Sequence, residues 1–167
     1  MIKTLNTLFV TMFGLGKIPK IPGTFGSLAT VIILYIFFHI LNLSSIIILI
    51  FIIIVFIYSF SAISAYTKDN ENKDPKEVII DEFIGQSIPI YLYEISHGTE
   101  KLPNEALIFY GVCFVLFRFF DIAKPFPVSF FDKKFKNSFG VIFDDVIAGL
   151  YVVLTLIIFM IIKSKFF

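Results

Sequence analysis

The sequence contains few charged residues and almost no cysteine, arginine or tryptophan. Charged side chains make up 16% of the 167 residues and hydrophobic ones 57%, with one cysteine, one arginine and no tryptophan. Ordinary soluble domains are about 25% charged. This balance excludes a disordered chain and a nucleic-acid-binding protein, and it indicates that lipid surrounds part of the chain. Because Cys113 is the single cysteine, an internal disulfide is excluded as well.

The shortage of charge is concentrated in one region. Residues 21–67 contain no Asp, Glu, Lys or Arg. A membrane-spanning helix needs about 20 apolar residues, so this run predicts two crossings joined by a tight turn. Three further apolar segments follow it. The five predicted spans cover residues 26–43, 44–66, 78–95, 105–122 and 139–162.

The third predicted span is the least regular. As a helix, residues 78–95 would extend about 27 Å, which is barely enough to cross a bilayer. They carry Asp81 and Glu82 near their start and Pro89 inside. A re-entrant or interfacial segment is the alternative. We expect residues 1–167 to form one membrane-embedded domain, an all-α polytopic helix bundle of about five spans whose third is short or re-entrant.

Lysine placement favours five spans over four. Short cytoplasmic loops are enriched in Lys and Arg. With five spans, ten lysines fall on the side of the N-terminus, which is then cytoplasmic, and three fall on the other side. The ten are Lys3, Lys17, Lys20, Lys68, Lys73, Lys76, Lys124, Lys133, Lys134 and Lys136. Four spans would place the lysine-rich segment 123–137 outside.

The segment before the first span is rich in glycine and proline. After a short amphipathic stretch, residues 1–13, these residue types recur too often for a regular helix. Residues 23–27 then lead into the span as a predicted loop. Their free backbone N–H groups and the helix dipole could hold an anion, with positive charge added by Lys17, Lys20 and Lys124. An ordinary turn is the alternative.

Five acidic residues lie at the edges of predicted spans, and in the five-span topology all reach the cytoplasmic face. They are Asp81, Glu82, Asp121, Asp144 and Asp145. Acids in or beside a membrane are costly and indicate function. Clustered carboxylates repel one another, and the usual compensation is a divalent cation such as Mg²⁺. For Asp121, an ion pair with Arg118, three residues earlier on the same helix, is the alternative.

Small residues stand one helical turn beyond two of these acidic groups. Gly85 follows Asp81, and Ala148 and Gly149 follow Asp144 and Asp145. Small residues let helix backbones approach closely. Short carboxylates are therefore expected to meet across the gap between the helices.

Residues 123–137 separate the last two spans. Pro125 and Pro127 end the preceding helix, after which phenylalanines alternate with lysines. This composition is typical of an interfacial helix lying on an anionic lipid surface. A solvated loop whose phenylalanines pack against the protein is the alternative.

Four segments of the chain carry distinctive motifs. They are GKIPKIPGTFGS (16–27), IIDEFIGQ (79–86), FRFFDIAKPFP (117–127) and GVIFDDVIAG (140–149). Together, in this order and with this spacing, they resemble the phosphatidylglycerophosphatase A family. The resemblance implies an integral enzyme of the bacterial inner membrane that uses Mg²⁺ to hydrolyse phosphatidylglycerophosphate to phosphatidylglycerol and phosphate.

The resemblance also implies roles for individual residues. The same five acids, Asp81, Glu82, Asp121, Asp144 and Asp145, become the expected catalytic and metal-binding set. The expected substrate-binding residues are Lys17, Pro22, Gly23, Thr24, Gly26, Ser27, Arg118 and Lys124. The active site is then expected on the cytoplasmic side, with membrane lipid as its surroundings, a phospholipid as its substrate and no nucleic-acid partner. No oligomeric state is predicted.

Two other functions would use similar residues. A phosphatidyl transferase of the CDP-alcohol type needs a longer array of four Asp with Gly and Ala-Arg between them, which the sequence lacks. A cation carrier or channel would place acids near mid-membrane along a path, whereas these acids lie toward one face. Both are alternatives to the phosphatase.

Overall fold

The computed structural model describes residues 2–68, 75–97, 103–135 and 137–166. Within these ranges the chain is helical and forms no strand, as the all-α prediction requires. A 3₁₀ turn, Leu15–Lys17, precedes the second helix, and a π-helical turn, Ile36–Ile40, extends it. The seven α-helices are α1 Ile2–Val10, α2 Pro22–Tyr35, α3 Ser45–Thr67, α4 Ile80–His97, α5 Pro103–Ala123, α6 Val128–Lys134 and α7 Ser138–Phe166.

Four helical segments of the described chain are long and apolar enough to cross a membrane. They are Pro22–Ile40, Ser45–Thr67, Glu105–Ala123 and Ser138–Lys165, and they match the first, second, fourth and fifth predicted spans. Among the described residues α4 does not join this set, because its 18 residues include three acids, Asp81, Glu82 and Glu94, and several other polar side chains. That α4, the third predicted span, crosses the membrane therefore stays a prediction. The predicted polar loops 68–77 and 97–104 lie largely outside the described residues.

The first long helix begins earlier than predicted. Pro22 stands in the first turn of α2, so the predicted loop 23–27 is helical. Proline suits this position because its missing N–H would have no intrahelical acceptor there. The irregular backbone of this glycine- and proline-rich segment lies before α2, where Gly14 has a φ of 94° and the 3₁₀ turn follows.

Helix α4 lies at the centre of the bundle and packs against α2, α3, α5 and α7. At its start, Glu82 lies against Gly23 of α2. Near its end, Glu94 Oε1 is 3.2 Å from His39 Nε2, in the π-helical turn that extends α2. The hydroxyl of Tyr110 on α5 donates to the same Glu94 oxygen at 3.0 Å. Helix α4 therefore runs beside α2 for the full length of that helix.

Two apolar clusters fill the bundle. One joins the first half of α4 to α3 and α7, and includes Phe83 and Ile63. The other joins the second half of α4 to α2 and α5, and includes Ile90, Leu34 and Phe117. The outward faces of α3 and α7 carry many exposed isoleucines, which is the surface expected of helices in contact with lipid.

The predicted interfacial segment forms the short helix α6, which packs against α7. Val128 is fully buried, and the ring of Phe131 lies 6.1 Å from that of Phe143. Phe126 and Phe130 are exposed, and Lys134 Nζ lies 4.8 Å from the centre of the Phe130 ring. The segment thus has one side against the protein and one apolar, basic side facing outward.

Candidate active site

Three carboxylates meet where α4 and α7 cross. One carboxylate oxygen from each of Asp81, Glu82 and Asp145 lies within 4.8 Å of the other two. Asp81 and Asp145 are 7% and 3% exposed, so the group is shielded from bulk solvent. Closely spaced carboxylate oxygens are the ligands that hard divalent cations prefer. We call these three residues the acidic triad, and its chemistry fits a bound metal ion.

The close approach of α4 and α7 depends on glycine. A β-carbon added to Gly85 would collide with the carbonyl oxygen of Asp145 and the ring of Phe117. A β-carbon added to Gly149 would collide with the carbonyl oxygen of Gly85. Asp81 and Asp145 each precede one of these glycines by one turn, which brings their carboxylates across the same gap. The small residues noted in the sequence therefore have the packing role expected of them.

Asp144 is held by Lys124, the residue that follows α5. Its Oδ2 atom accepts a hydrogen bond from Lys124 Nζ at 2.9 Å. Its Oδ1 atom accepts one from the backbone N–H of Asp145 at 3.0 Å. Neighbouring helical residues point about 100° apart, so Asp144 and Asp145 cannot occupy the same position in the site. Lys124, expected to bind substrate, reaches the acidic end of the bundle through this pair.

Asp121 forms the ion pair that was the alternative to a ligand role. Its Oδ2 atom lies 2.8 Å from Nη1 of Arg118. The same Nη1 donates to Ser27 Oγ of α2 at 3.3 Å. Arg118 therefore links α5 to α2 beside the acidic triad, and Asp121 orients it.

The start of α2 touches the acidic triad directly. A β-carbon on Gly23 would collide with Oε1 of Glu82 and lie 3.3 Å from Nη1 of Arg118. First-turn N–H groups of a helix have no intrahelical acceptor, which leaves those of Gly23 and Thr24 available to an anion. Pro22 has no N–H to offer.

Two of the residues expected in this anion cradle have other contacts. Gly26 lies in the second turn of α2 and lets the helix pack against Ile79, where a β-carbon would meet side-chain and backbone atoms at 3.0–3.3 Å. The hydroxyl of Ser27 donates to the carbonyl of Gly23 at 3.0 Å and accepts from Arg118. The predicted loop 23–27 is instead the first part of α2, which begins at Pro22, whereas the predicted span did not begin until residue 26.

Lys17 lies exposed in the 3₁₀ turn before α2. The backbone of this turn packs against the segment before α4, since a β-carbon on Gly16 would collide with the carbonyl of Glu77. The turn is thus anchored near the acidic end of the bundle. The structure gives Lys17 no contact with the acidic triad among the described residues.

One residue of the site had no role in the sequence analysis, although it belongs to the second motif. Gln86 follows Glu82 by one turn and is 0% exposed. Its Nε2 and Oε1 atoms have no hydrogen-bond partner among the described residues, and neither do Glu82 Oε2 and Arg118 Nε. A polar residue one turn beyond an acid, in an apolar helix, was the signal available in the sequence.

These features define a helical membrane protein with a buried acidic group, suited to a metal ion, beside an arginine, a lysine and a helix N-terminus. The family model for phosphatidylglycerophosphatase A matches residues 8–160, and the chain belongs to that family. It is therefore an enzyme of the phosphatase class.

Three relatives illustrate this membership. Phosphatidylglycerophosphatase A of Haemophilus influenzae is 38% identical over 88 residues, a match that covers 53% of this chain and only 48% of that protein. Phosphatidylglycerophosphatase A of Escherichia coli (strain K12) is 32% identical over 142 residues, covering 85% of this chain and 76% of the relative. A Bacteroides thetaiotaomicron protein with the provisional name phosphatidylinositol-3-phosphatase is 32% identical over 150 residues, 88% of each chain. No solved structure matches the chain at a comparable level of significance.

Proposed function

We propose that this chain is a Mg²⁺-dependent phosphatase that hydrolyses phosphatidylglycerophosphate to phosphatidylglycerol and phosphate. The observation that carries the proposal is the acidic triad, with its carboxylate oxygens within 4.8 Å of one another. Family membership supports the substrate, because two of the relatives are named for it.

Asp81, Glu82 and Asp145 are the residues that would hold Mg²⁺. When bound, the ion supplies a Lewis acid that draws charge from the phosphoryl oxygens. Without a cation, three carboxylates within 4.8 Å of one another, two of them on buried residues, would repel one another strongly, which supports a cation as part of the working site.

Two basic residues are assigned to the terminal phosphate. Arg118 and Lys124 reach the acidic end of the bundle from α5 and from the residue after it. Asp121 and Asp144 hold these cations in place through contacts of 2.8 and 2.9 Å. We therefore propose that Asp121 and Asp144 position the side chains of Arg118 and Lys124. The N–H groups of Gly23 and Thr24 would bind the phosphate itself.

The reaction is a hydrolysis with a simple balance. The oxygen of a water molecule forms a bond to phosphorus, and the bond between phosphorus and the glycerol oxygen breaks. One proton of the water passes to the glycerol oxygen, so that a free hydroxyl and inorganic phosphate result. A carboxylate near the water is a suitable acceptor and donor for this proton.

The membrane placement is part of the proposal. We assign residues 1–167 to one domain that crosses the bacterial inner membrane five times, with the site at the cytoplasmic face. The lysine distribution supports this orientation. Helix α4 runs beside α2, from Glu82 near Gly23 to Glu94 near His39. This course supports a membrane crossing by α4. The lipid product then stays in the leaflet while phosphate leaves into water.

The test is phosphate release by the purified protein in detergent. We expect release from phosphatidylglycerophosphate with Mg²⁺ present and none after chelation with EDTA, with activity restored by added Mg²⁺. Phosphatidylinositol 3-phosphate is assayed beside it, because the name of the Bacteroides relative suggests this second substrate. A preference for soluble glycerol 3-phosphate over both lipids, or full activity in EDTA, would contradict the proposal.

The cation carrier and the transferase receive less support. The five acids of the candidate site collect at one end of the bundle, whereas an ion path needs groups at several depths. Flux of cations into proteoliposomes, without phosphate release from lipid, would favour the carrier.

A further inference from the structure

Gln86 lies on the face of α4 that is turned toward α2 and α5. Glu82, Gln86 and Ile90 are spaced four residues apart and so share one helix face. Glu82 contacts Gly23 of α2, and Ile90 packs in a cluster with Leu34 of the same helix. Gln86 lies between these two contacts and therefore faces the same neighbours.

Buried polar groups line the neighbouring helices at this depth. On α2, Ser27 lies between the levels of Gly23 and Leu34 and is 0% exposed. Arg118 of α5 reaches the same level, because its Nη1 donates to Ser27 Oγ at 3.3 Å. We call Ser27, Gln86 and Arg118 the polar seam. Gln86 lies four residues, about 6 Å of helix rise, from Glu82 of the acidic triad.

The polar seam contains hydrogen-bonding atoms that none of the described residues satisfies. Gln86 Nε2 and Arg118 Nε are buried donors, and Gln86 Oε1 is a buried acceptor, without partners among the described residues. More than nine in ten buried polar groups in proteins are hydrogen-bonded, since an unpaired one is costly. Ser87, the next residue on α4, follows this rule, because its buried hydroxyl donates to the carbonyl of Phe83 at 2.6 Å.

The unsatisfied atoms specify the chemistry of a ligand. Two donors, one of them cationic, suit an oxygen of a phosphate group. One amide acceptor beside them suits the hydrogen of a hydroxyl group. A phosphorylated polyol headgroup presents both, since it carries a hydroxyl on the carbon next to the one that bears the phosphate.

We infer that Gln86 determines specificity for a hydroxyl-bearing headgroup. Its Oε1 accepts from the headgroup hydroxyl, and its Nε2 and Arg118 Nε donate to phosphate oxygens. The inference rests on the proposed function and deepens it, because it separates glycerol phosphate headgroups from phosphatidate, whose phosphate has no neighbouring headgroup hydroxyl. A site built to bond a hydroxyl discriminates strongly against an analogue that lacks it.

The test compares Gln86→Met with Ser87→Ala. Methionine keeps the length of the side chain and removes its hydrogen bonds, and Ser87→Ala removes a satisfied bond from the adjacent buried position. We expect Gln86→Met to lower kcat/KM for phosphatidylglycerophosphate at least about tenfold more than that for phosphatidate, because phosphatidate loses only the contact of its phosphate with Nε2. Ser87→Ala should leave the ratio of the two values unchanged.

Two further readouts separate specificity from stability and from the reaction. The melting temperature of Gln86→Met without ligand should equal or exceed that of the natural protein, because an unsatisfied amide is replaced by an apolar group of similar shape. The natural protein should be stabilised more by 3,4-dihydroxybutylphosphonate, which cannot be hydrolysed, than by butylphosphonate, and Gln86→Met should lose that difference.

Three results for Gln86→Met would overturn the role of Gln86. The first is an equal loss of kcat/KM on both lipids, and the second is a lower melting temperature with an unchanged ratio of the two kcat/KM values. The third is an unchanged preference for 3,4-dihydroxybutylphosphonate over butylphosphonate. An inactive natural protein that still distinguishes the two phosphonates through Gln86 would contradict the proposed reaction and support the binding role.

Discussion

The backbone carbonyl oxygen of Asp145 lies so close to Gly85 that a β-carbon on the glycine would collide with it. The contact joins α4 to α7 one turn away from Asp81, so the separation of two carboxylates of the acidic triad depends on the absence of a side chain at residue 85. A packing residue thus sets the geometry of the proposed metal site.

Gly85→Ala should therefore damage both activity and folding. The added methyl group must push α7 away from α4, which is overpacking of a kind that costs about 1–3 kcal/mol. We expect a lower melting temperature in detergent and at least about a tenfold loss of phosphate release, because the carboxylates no longer meet.

Gly111→Ala on α5 is the matched control for this change. A β-carbon on Gly111 meets nothing within 4 Å, so the same substitution has room. Alanine is favoured over glycine inside a helix by about 1 kcal/mol, so this variant should be as stable as the natural protein or more so, with unchanged activity. If Gly85→Ala and Gly111→Ala had similar melting temperatures and similar activities, the α4–α7 contact would not determine the geometry of the site.

Lys124 and Asp144 are expected to act as one unit. Each single variant, Lys124→Met or Asp144→Asn, should lower phosphate release by about 10–100-fold, because each leaves the other charge without its 2.9 Å partner. The double variant should be no worse than the worse single variant. Lys163→Met, at an exposed lysine at the far end of α7, serves as the control for loss of a positive charge. Additive losses in the double variant would show that the two residues act separately.

The membrane orientation can be tested with reporter fusions. A reporter fused after Lys134 should read as cytoplasmic and one fused after residue 167 as external, because five spans place ten lysines on the inner side. If α4 did not cross, the four remaining spans would place α6 outside and the C-terminus inside. The opposite pair of readings would exclude the five-span topology.

Much of the fold follows from simple patterns in the sequence. The run 21–67 without charge marks α2 and α3 because a bilayer excludes charged side chains. The pairing of small residues with acids, Gly85 with Asp81 and Gly149 with Asp145, indicated that two helices approach closely at that point. Both inferences depend on local composition, which a single sequence contains in full.

The contacts between helices are less accessible to such reasoning. Spacing along one helix revealed the pair Arg118–Asp121. Lys124 follows the end of α5 whereas Asp144 lies on α7, so their pairing depends on how these two helices pack. The start of α2 was misplaced because glycine and proline usually end helices, whereas Pro22 begins one. Gln86 was overlooked because its importance lies in the partners it lacks among the described residues, which only the packed structure reveals.

The acidic triad is the central claim, and Asp145→Asn tests it most directly when activity and metal binding are measured on the same preparation. Asparagine keeps the volume of the side chain and removes the charge that a cation site needs. Mg²⁺ at 100 times its Kd should stabilise the natural protein by about 2.7 kcal/mol and raise its melting temperature. Asp145→Asn should remain folded, lose this stabilisation, and release phosphate from phosphatidylglycerophosphate at least about 100-fold more slowly. A variant that keeps both near-natural activity and the Mg²⁺-dependent rise in melting temperature would contradict the assignment of the metal site to Asp81, Glu82 and Asp145.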